Sequence, residues 1–124
     1  MCILKKRKKE QLSDKVQAIQ KIGEIIDQLD GISRSLGNME ANVGPKVEKC
    51  ISELKWCRNQ LNRMLDMRDH QAESEFYCRA LFLLNEISET LKNMKFFYTY
   101  IESTVLPDID DLHRLIDAAV KTVN

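Results

Sequence analysis

Glu102, Asp108, Asp110 and Asp111 crowd the C-terminal third of the chain. Carboxylates this close together are the raw material of a divalent-cation site or an acid–base pair. Their spacing fits neither. An oxygen-ligand calcium loop needs a glycine at its bend and a spaced bidentate Glu. A di-iron bundle needs Glu-x-x-His on its helices. His113 follows Asp110 with no second copy, and Met67 stands three residues before His70. There is no Gly-x-Ser-x-Gly elbow and no glycine-rich phosphate loop. No catalytic residue, metal ligand or cofactor site is assigned from the sequence. The aspartates read instead as the first turn of a helix, where the positive end of the dipole favours them.

The cysteines are Cys2, Cys50, Cys57 and Cys78. Cys50 and Cys57 lie seven residues apart, two turns along one helix face and about 10.5 Å of rise, too far for a disulfide within that helix. They read as buried or half-buried thiols of a reducing compartment. Phe96, Phe97, Tyr98 and Tyr100 form the most distinctive local feature. So tight a run cannot turn every ring toward one core, so it reads either as a wide core stripe or as an exposed patch for self-association or a partner. Trp56 stands off the central stripe of its helix, placed to cover a bundle edge or anchor a partner. The unbroken basic run Lys5, Lys6, Arg7, Lys8 and Lys9 carries three readings: a solvated terminus, a contact with anionic lipid, or the cytoplasmic edge of a preceding membrane span.

The elements that must position these residues are helices. Apolar residues make up 44% of the 124 residues and charged ones 31%, with 4 Gly and 2 Pro, which excludes collagen-like and disordered chains and argues against an all-β domain. The 19 Lys+Arg balance 19 Asp+Glu, poor material for a dedicated nucleic-acid binder. Apolar runs are too short for a transmembrane helix. From Leu12 the apolar positions Val16, Ile19, Ile22, Ile26, Leu29, Ile32 and Leu36 recur at steps of three and four, predicting a first helix over 11–36. Gly23 and Gly31 lie inside it, where they weaken the helix and permit close approach. Residues 37–45 read as a loop, and Pro45 opens a second helix. Ala80, Leu84, Ile87, Leu91, Met94, Tyr98, Ile101 and Val105 keep an unbroken coiled-coil-type seam, predicting one long third helix ended by Pro107. Ile109, Leu112, Leu115, Ile116, Ala119 and Val123 stripe a fourth.

The stretch Ile101-Glu-Ser-Thr-Val-Leu-Pro-Asp-Ile-Asp-Asp-Leu-His-Arg-Leu-Ile resembles the end of the bacterial bromo-chloro-indolyl phosphate hydrolysis (XpaC-like) proteins, through the Leu106-Pro107 step and the spacing of Leu112 and Ile116. The stretch departs from the family in having Thr104-Val105 before the step and Asp108-Ile109 after it. The resemblance implies a helical cytoplasmic domain behind membrane helices and a basic stretch. The family name implies a phosphatase, but no nucleophile or metal ligand can be named here to carry that activity.

The expectation is an all-α chain: a basic tail over 1–10, then one antiparallel four-helix bundle over 11–124, with helix 3 long and central and Pro107 separating helices 3 and 4. The function expected is a non-enzymatic interaction module, cytoplasmic and at the inner face of the membrane, needing no cofactor. Lys5, Lys6, Arg7, Lys8 and Lys9 would touch the anionic surface. Trp56, Phe96, Phe97, Tyr100, Asp108, Asp110 and Asp111 would touch a protein partner or a second copy. Two alternatives compete: a phosphate-ester hydrolase or its accessory protein, and an antitoxin- or immunity-type protein that sets Asp108, Asp110 and Asp111 against a basic partner.

Overall fold

The computed structural model describes residues 2–36, 42–65, 70–94 and 97–123, with backbone alone at 2–13, 70 and 121–123. Among the described residues there are four helical segments and no strand. α1 is Cys2–Leu36, α2 is Gly44–Arg63 and α3 is His70–Lys92. α4 spans 98–123 and joins an α turn at Tyr98–Tyr100, a π turn at Ile101–Val105 and the α-helix Leu106–Val123. The fold is an all-α helical bundle.

α1 packs on α2 and on α4, α2 packs on α3, and α3 closes the ring against α4. The core is built from the predicted stripes. α1 contributes Ala18, Ile22, Ile25, Ile26, Leu29, Ile32 and Leu36, α2 contributes Val47, Leu54, Cys57 and Leu61, α3 contributes Tyr77, Ala80, Leu84, Ile87 and Leu91, and α4 contributes Ile101, Val105, Ile109, Leu112, Ile116 and Ala119. Each of these Leu and Ile side chains gains about 1.5–3 kcal/mol on leaving water. The close approach expected at the glycines of α1 is not used. A Cβ on Gly23 would stand 3.7 Å from Arg58, an ordinary contact, and one on Gly31 would meet open space.

α1 is helical from Cys2, nine residues upstream of the predicted start, so the basic run lies on helical backbone. α2 ends at Arg63 and α3 begins at His70, and Gly37, expected to end the first helix, and Asp69, expected to cap the third, lie outside the described residues.

The third and fourth helices are arranged differently from the expectation. α3 stops at Lys92, so it has 23 residues against 35 in α1, and α1 rather than α3 makes the most extensive contacts. α3 ends and α4 begins well before Pro107, which lies inside α4. One reason is local. Asn93 Nδ2 donates to the Glu89 carbonyl at 3.0 Å and Thr90 Oγ1 to the Glu86 carbonyl at 3.4 Å, while the Met94 amide reaches back only three residues, to Leu91. The Asn93 side chain and the Met94 amide thereby take the Glu89 and Leu91 carbonyls, which a continuing helix would have used, while the Thr90 hydroxyl shares an acceptor inside α3. The other reason is tertiary. A helix from 70 to 105 would be about 54 Å long, against about 30 Å for a 20-residue neighbour, and its last turns would have nothing to bury against. Turning back returns Ile101 and Val105 to the core.

The reversal distorts the backbone. Phe97 takes φ 62° and ψ 22°, the left-handed region, at a cost of about 1–2 kcal/mol for a residue with a Cβ. Its carbonyl accepts the Ile101 amide at 2.8 Å and so starts α4. Pro107 has no amide to give and its ring crowds the preceding turn. The π turn just before it, in which the Leu106 amide reaches the Ile101 carbonyl, widens the helix and carries it past the proline.

One charged pair sits in the core. Lys15 Nζ is 2.9 Å from Glu73 Oε2 and 3.2 Å from Oε1, tying α1 to α3 across the ring, with the Glu73 side chain 2% exposed. Glu73 continues the α3 seam two positions before Ala80, with Tyr77 between them, and Lys15 heads the buried stripe of α1. Removing one partner strands the other charge in the core. Glu73→Ala is expected to lower stability by about 3–5 kcal/mol, while Lys15→Met combined with Glu73→Met restores it to within about 1 kcal/mol of the wild type. Urea unfolding of both variants measures the difference. A single variant as stable as the wild type would show that Lys15 reaches water without Glu73.

Candidate functional site

The surface feature with the most binding character is a groove of about 620 Å³ between α2 and α3. Contacts along it step down α3 as they step up α2. Beyond the Glu53–Arg79 end of the groove, and outside its lining, the Trp56 and Phe76 rings meet edge to face, with centroids 5.1 Å apart and planes at 69°. Next, Arg79 Nη2 donates to Glu53 Oε2 at 3.4 Å, and the same guanidinium lies 5.9 Å from the centre of the Phe82 ring. Further along, Cys50, Leu83 and Ile87 form a buried apolar floor. At the far end Lys46 and Lys49 rim the α2 side, and Glu86 and Glu89 rim the α3 side.

Helical spacing makes this arrangement. Residues 46, 49, 53 and 56 fall on one stripe of α2, and 76, 79, 83 and 86 on one stripe of α3, each stripe adjoining the core face of its helix. Phe82 is 52% exposed, so a large ring stands in water beside the apolar floor, and Trp56, 53% exposed, stands one turn beyond the Glu53 end of the groove. Phe82 lines the groove and was missed as a site residue. The signal was present: Phe82 lies two residues after Ala80 and two before Leu84, off the seam.

The Cys50 thiol on the groove floor is held in its neutral form. Burial first, then the charges of Glu53 and Glu86, push its thiol up to about 12, so it stays protonated at neutral pH. Its sulfur lies 3.9 Å from the Leu83 carbonyl. Burial likewise raises Cys57. Both are free, as is Cys78, which is exposed rather than buried or half-buried. Among the described residues no three His, Cys, Asp or Glu side chains gather as a ligand group.

The remaining predicted contact residues do not form one surface. Phe97 is half-buried against the core, and Tyr100, 41% exposed, stands on the outer side of the same helix start. Phe96 and the side chains of Lys5, Lys6, Arg7, Lys8 and Lys9 lie outside the described residues. Asp108 is occupied internally. It accepts Gln28 Nε2 at 2.5 Å and Lys21 Nζ at 3.0 Å, so it bridges α4 to α1 rather than facing a partner. Asp111 pairs with Arg114 on its own helix, and Asp110 is exposed. The three aspartates therefore present no common free acidic face. Asp108 lies, as expected, in the first turn of the α-helix Leu106–Val123, although the preceding π turn continues that helix backwards.

No protein-family model, curated protein or solved structure matches the chain. The likeness of residues 101–116 to the hydrolysis family rests on those residues. Among the described residues no helix is long and apolar enough to cross a membrane.

The Asp108 bridge has a pH signature. The Gln28 hydrogen bond, then Lys21, hold its carboxyl below the ordinary carboxylate value. A folded-state pKa below the unfolded one contributes stability that is present above the unfolded pKa and lost as pH falls through the folded one. The wild type is expected to lose about 1 kcal/mol more than Asp108→Asn on acidification from neutral pH to below about 3. Thermal melts across that range measure it, and parallel curves for the two proteins would show that the bridge contributes nothing.

Proposed function

We propose that this protein is a non-enzymatic interaction module that takes an amphipathic helix of a partner protein into the groove between α2 and α3. The observation that carries the reading is the exposed Phe82 ring set beside the buried floor of Cys50, Leu83 and Ile87, with the exposed Trp56 ring one turn beyond Glu53 on α2. Large apolar rings left in water next to a concave apolar floor are the composition of a binding hot spot. The rim selects the occupant. With Lys46 and Lys49 on one bank and Glu86 and Glu89 on the other, the groove favours a helix with an apolar seam, acidic residues along one flank and basic residues along the other. From residue 46 to 53 the groove runs about 10.5 Å, room for roughly seven residues of partner helix.

Trp56, the single tryptophan of the chain, stands one turn beyond the Glu53 end of the groove and reports on a helix laid along α2 and α3. Titration with a heptad-patterned peptide of the stated flank charges is expected to shift its emission to the blue. Phe82→Ala is expected to weaken that binding at least about tenfold, as loss of a hot-spot ring does. A peptide with its flanks exchanged binds more weakly. Unmoved emission, or equal affinity for Phe82→Ala, overturns the reading.

A second contact, with an anionic membrane surface, is supported by the basic run standing on the helical backbone at the start of α1, which spreads residues 5–9 around the whole helix circumference. Flotation with anionic vesicles is expected to recover the wild type. The variant with Lys5, Lys6, Arg7, Lys8 and Lys9 all changed to Gln is expected to stay unbound. Equal behaviour of the two proteins removes the membrane from the reading.

A further inference from the structure

The joint between α3 and α4 combines features that conflict. Across it the seam keeps its spacing without a slip: Leu91, Met94, Tyr98, Ile101 and Val105 follow at steps of three, four, three and four. Residues 93–97 contain no glycine and no proline, so nothing in their chemistry forbids a helix there. The chain nevertheless reverses, with Phe97 in the left-handed region and a π turn four residues later. One seam position is left unused by the reversal: Tyr98 is 58% exposed, while its seam neighbours Met94 and Ile101 are buried. Tyr100 stands exposed beside it.

We propose that two copies of this chain exchange α4, so that in each copy α3 and α4 run on as one helix and α4 takes its place in the other copy's bundle. The exchange loses none of the core contacts, because every contact α4 makes within one chain is remade with identical residues of the other. It releases the positive φ at Phe97. In the exchanged dimer the exposed rings of Tyr98, whose hydroxyl is hydrogen-bonded to Glu102, and of Tyr100 cover each other across the two straightened joints. Because the seam is unbroken, a continuous helix turns residues 80–94 toward one bundle and 98–119 toward the other on the same side. The occupant of the aromatic patch is therefore a second copy of this chain. The exchange is independent of the α2–α3 groove, which stays within one chain.

The Asp108 bridge makes the exchange testable. Lys21 on α1 and Asp108 on α4 pair within one chain in the closed form and between chains in the exchanged form. Asp108→Lys sets two cations against each other, and Lys21→Asp sets two anions against each other, so neither variant can satisfy the pair alone. Mixed and refolded together, the two are expected to form a heterodimer, since one half then holds Lys at 108 against Asp at 21 and the other half holds the native pair. Light scattering and mass measurement of the wild type refolded at millimolar and at micromolar concentration are expected to show dimer at the higher concentration and monomer at the lower. Phe97→Gly is expected to move the monomer–dimer constant toward monomer more than about tenfold, since glycine adopts a positive φ freely and disfavours a helix interior, twice in each dimer. A wild type that stays monomeric after refolding at millimolar concentration overturns the proposal. So does a dimer whose constant Phe97→Gly leaves unchanged, or a mixture of the two charge variants that yields no heterodimer.

Discussion

The stripe of Ile22, Ile25, Ile26, Leu29 and Ile32 along α1 has to be covered on two sides, and that requirement organises the molecule. α2 takes one side and α4 the other. α3 is then placed by the outer faces left on α2 and α4. α1 is the longest helix because it is the wall on which both neighbours lean, and the other segments have lengths that fit along it. The hydrophobic effect has no direction of its own. Direction comes from the polar ties that cross the ring, Lys15 to Glu73 and Lys21 with Gln28 to Asp108, which allow one register of α1 against α3 and α4.

The same requirement explains the strain near residue 97. Covering α1 with Ile101, Val105 and Ile109 means bringing the chain back after Leu91, although its local pattern calls for more helix. The cost is met locally by a left-handed phenylalanine and a π turn, and it is repaid by apolar residues that an extended helix would leave in water. Local preference and tertiary burial disagree here, and places of that kind in a fold are where alternative packings lie close in energy.

The groove on the opposite side of the ring has a different origin. α2 and α3 turn their buried stripes inward, and the residues flanking those stripes meet at the surface. Where the flanking residues are aromatic, as at Trp56, Phe76 and Phe82, the bundle's outer seam becomes a surface with apolar content. The Arg79 guanidinium, between Glu53 and the Phe82 ring, holds the middle of that surface in place with a charge on one side and a ring on the other.

The all-helical class, the presence of four apolar stripes and nearly every core residue are written into the sequence, because a period near 3.6 in apolar residues is a local property that survives any packing. Leu54, Leu84, Ile87, Leu112 and Ile116 were legible in this way, and Trp56 was legible as an off-stripe ring. What tertiary structure alone decided is where the chain turns and which side chains face water. Pro107 is a strong local stop, yet a π turn carries the helix past it. Asn93 is a weak signal, yet the helix ends there, because the length of the neighbouring helices limits how much apolar surface can be covered. Asp108 looks like a surface acid in the sequence and becomes a bridge only because Lys21 and Gln28, some eighty residues earlier in the chain, are folded against it. Phe82 and Tyr98 carry the same apolar character as their buried neighbours. Their exposure is a fact about which helix stands beside them, and no local pattern of residues encodes it.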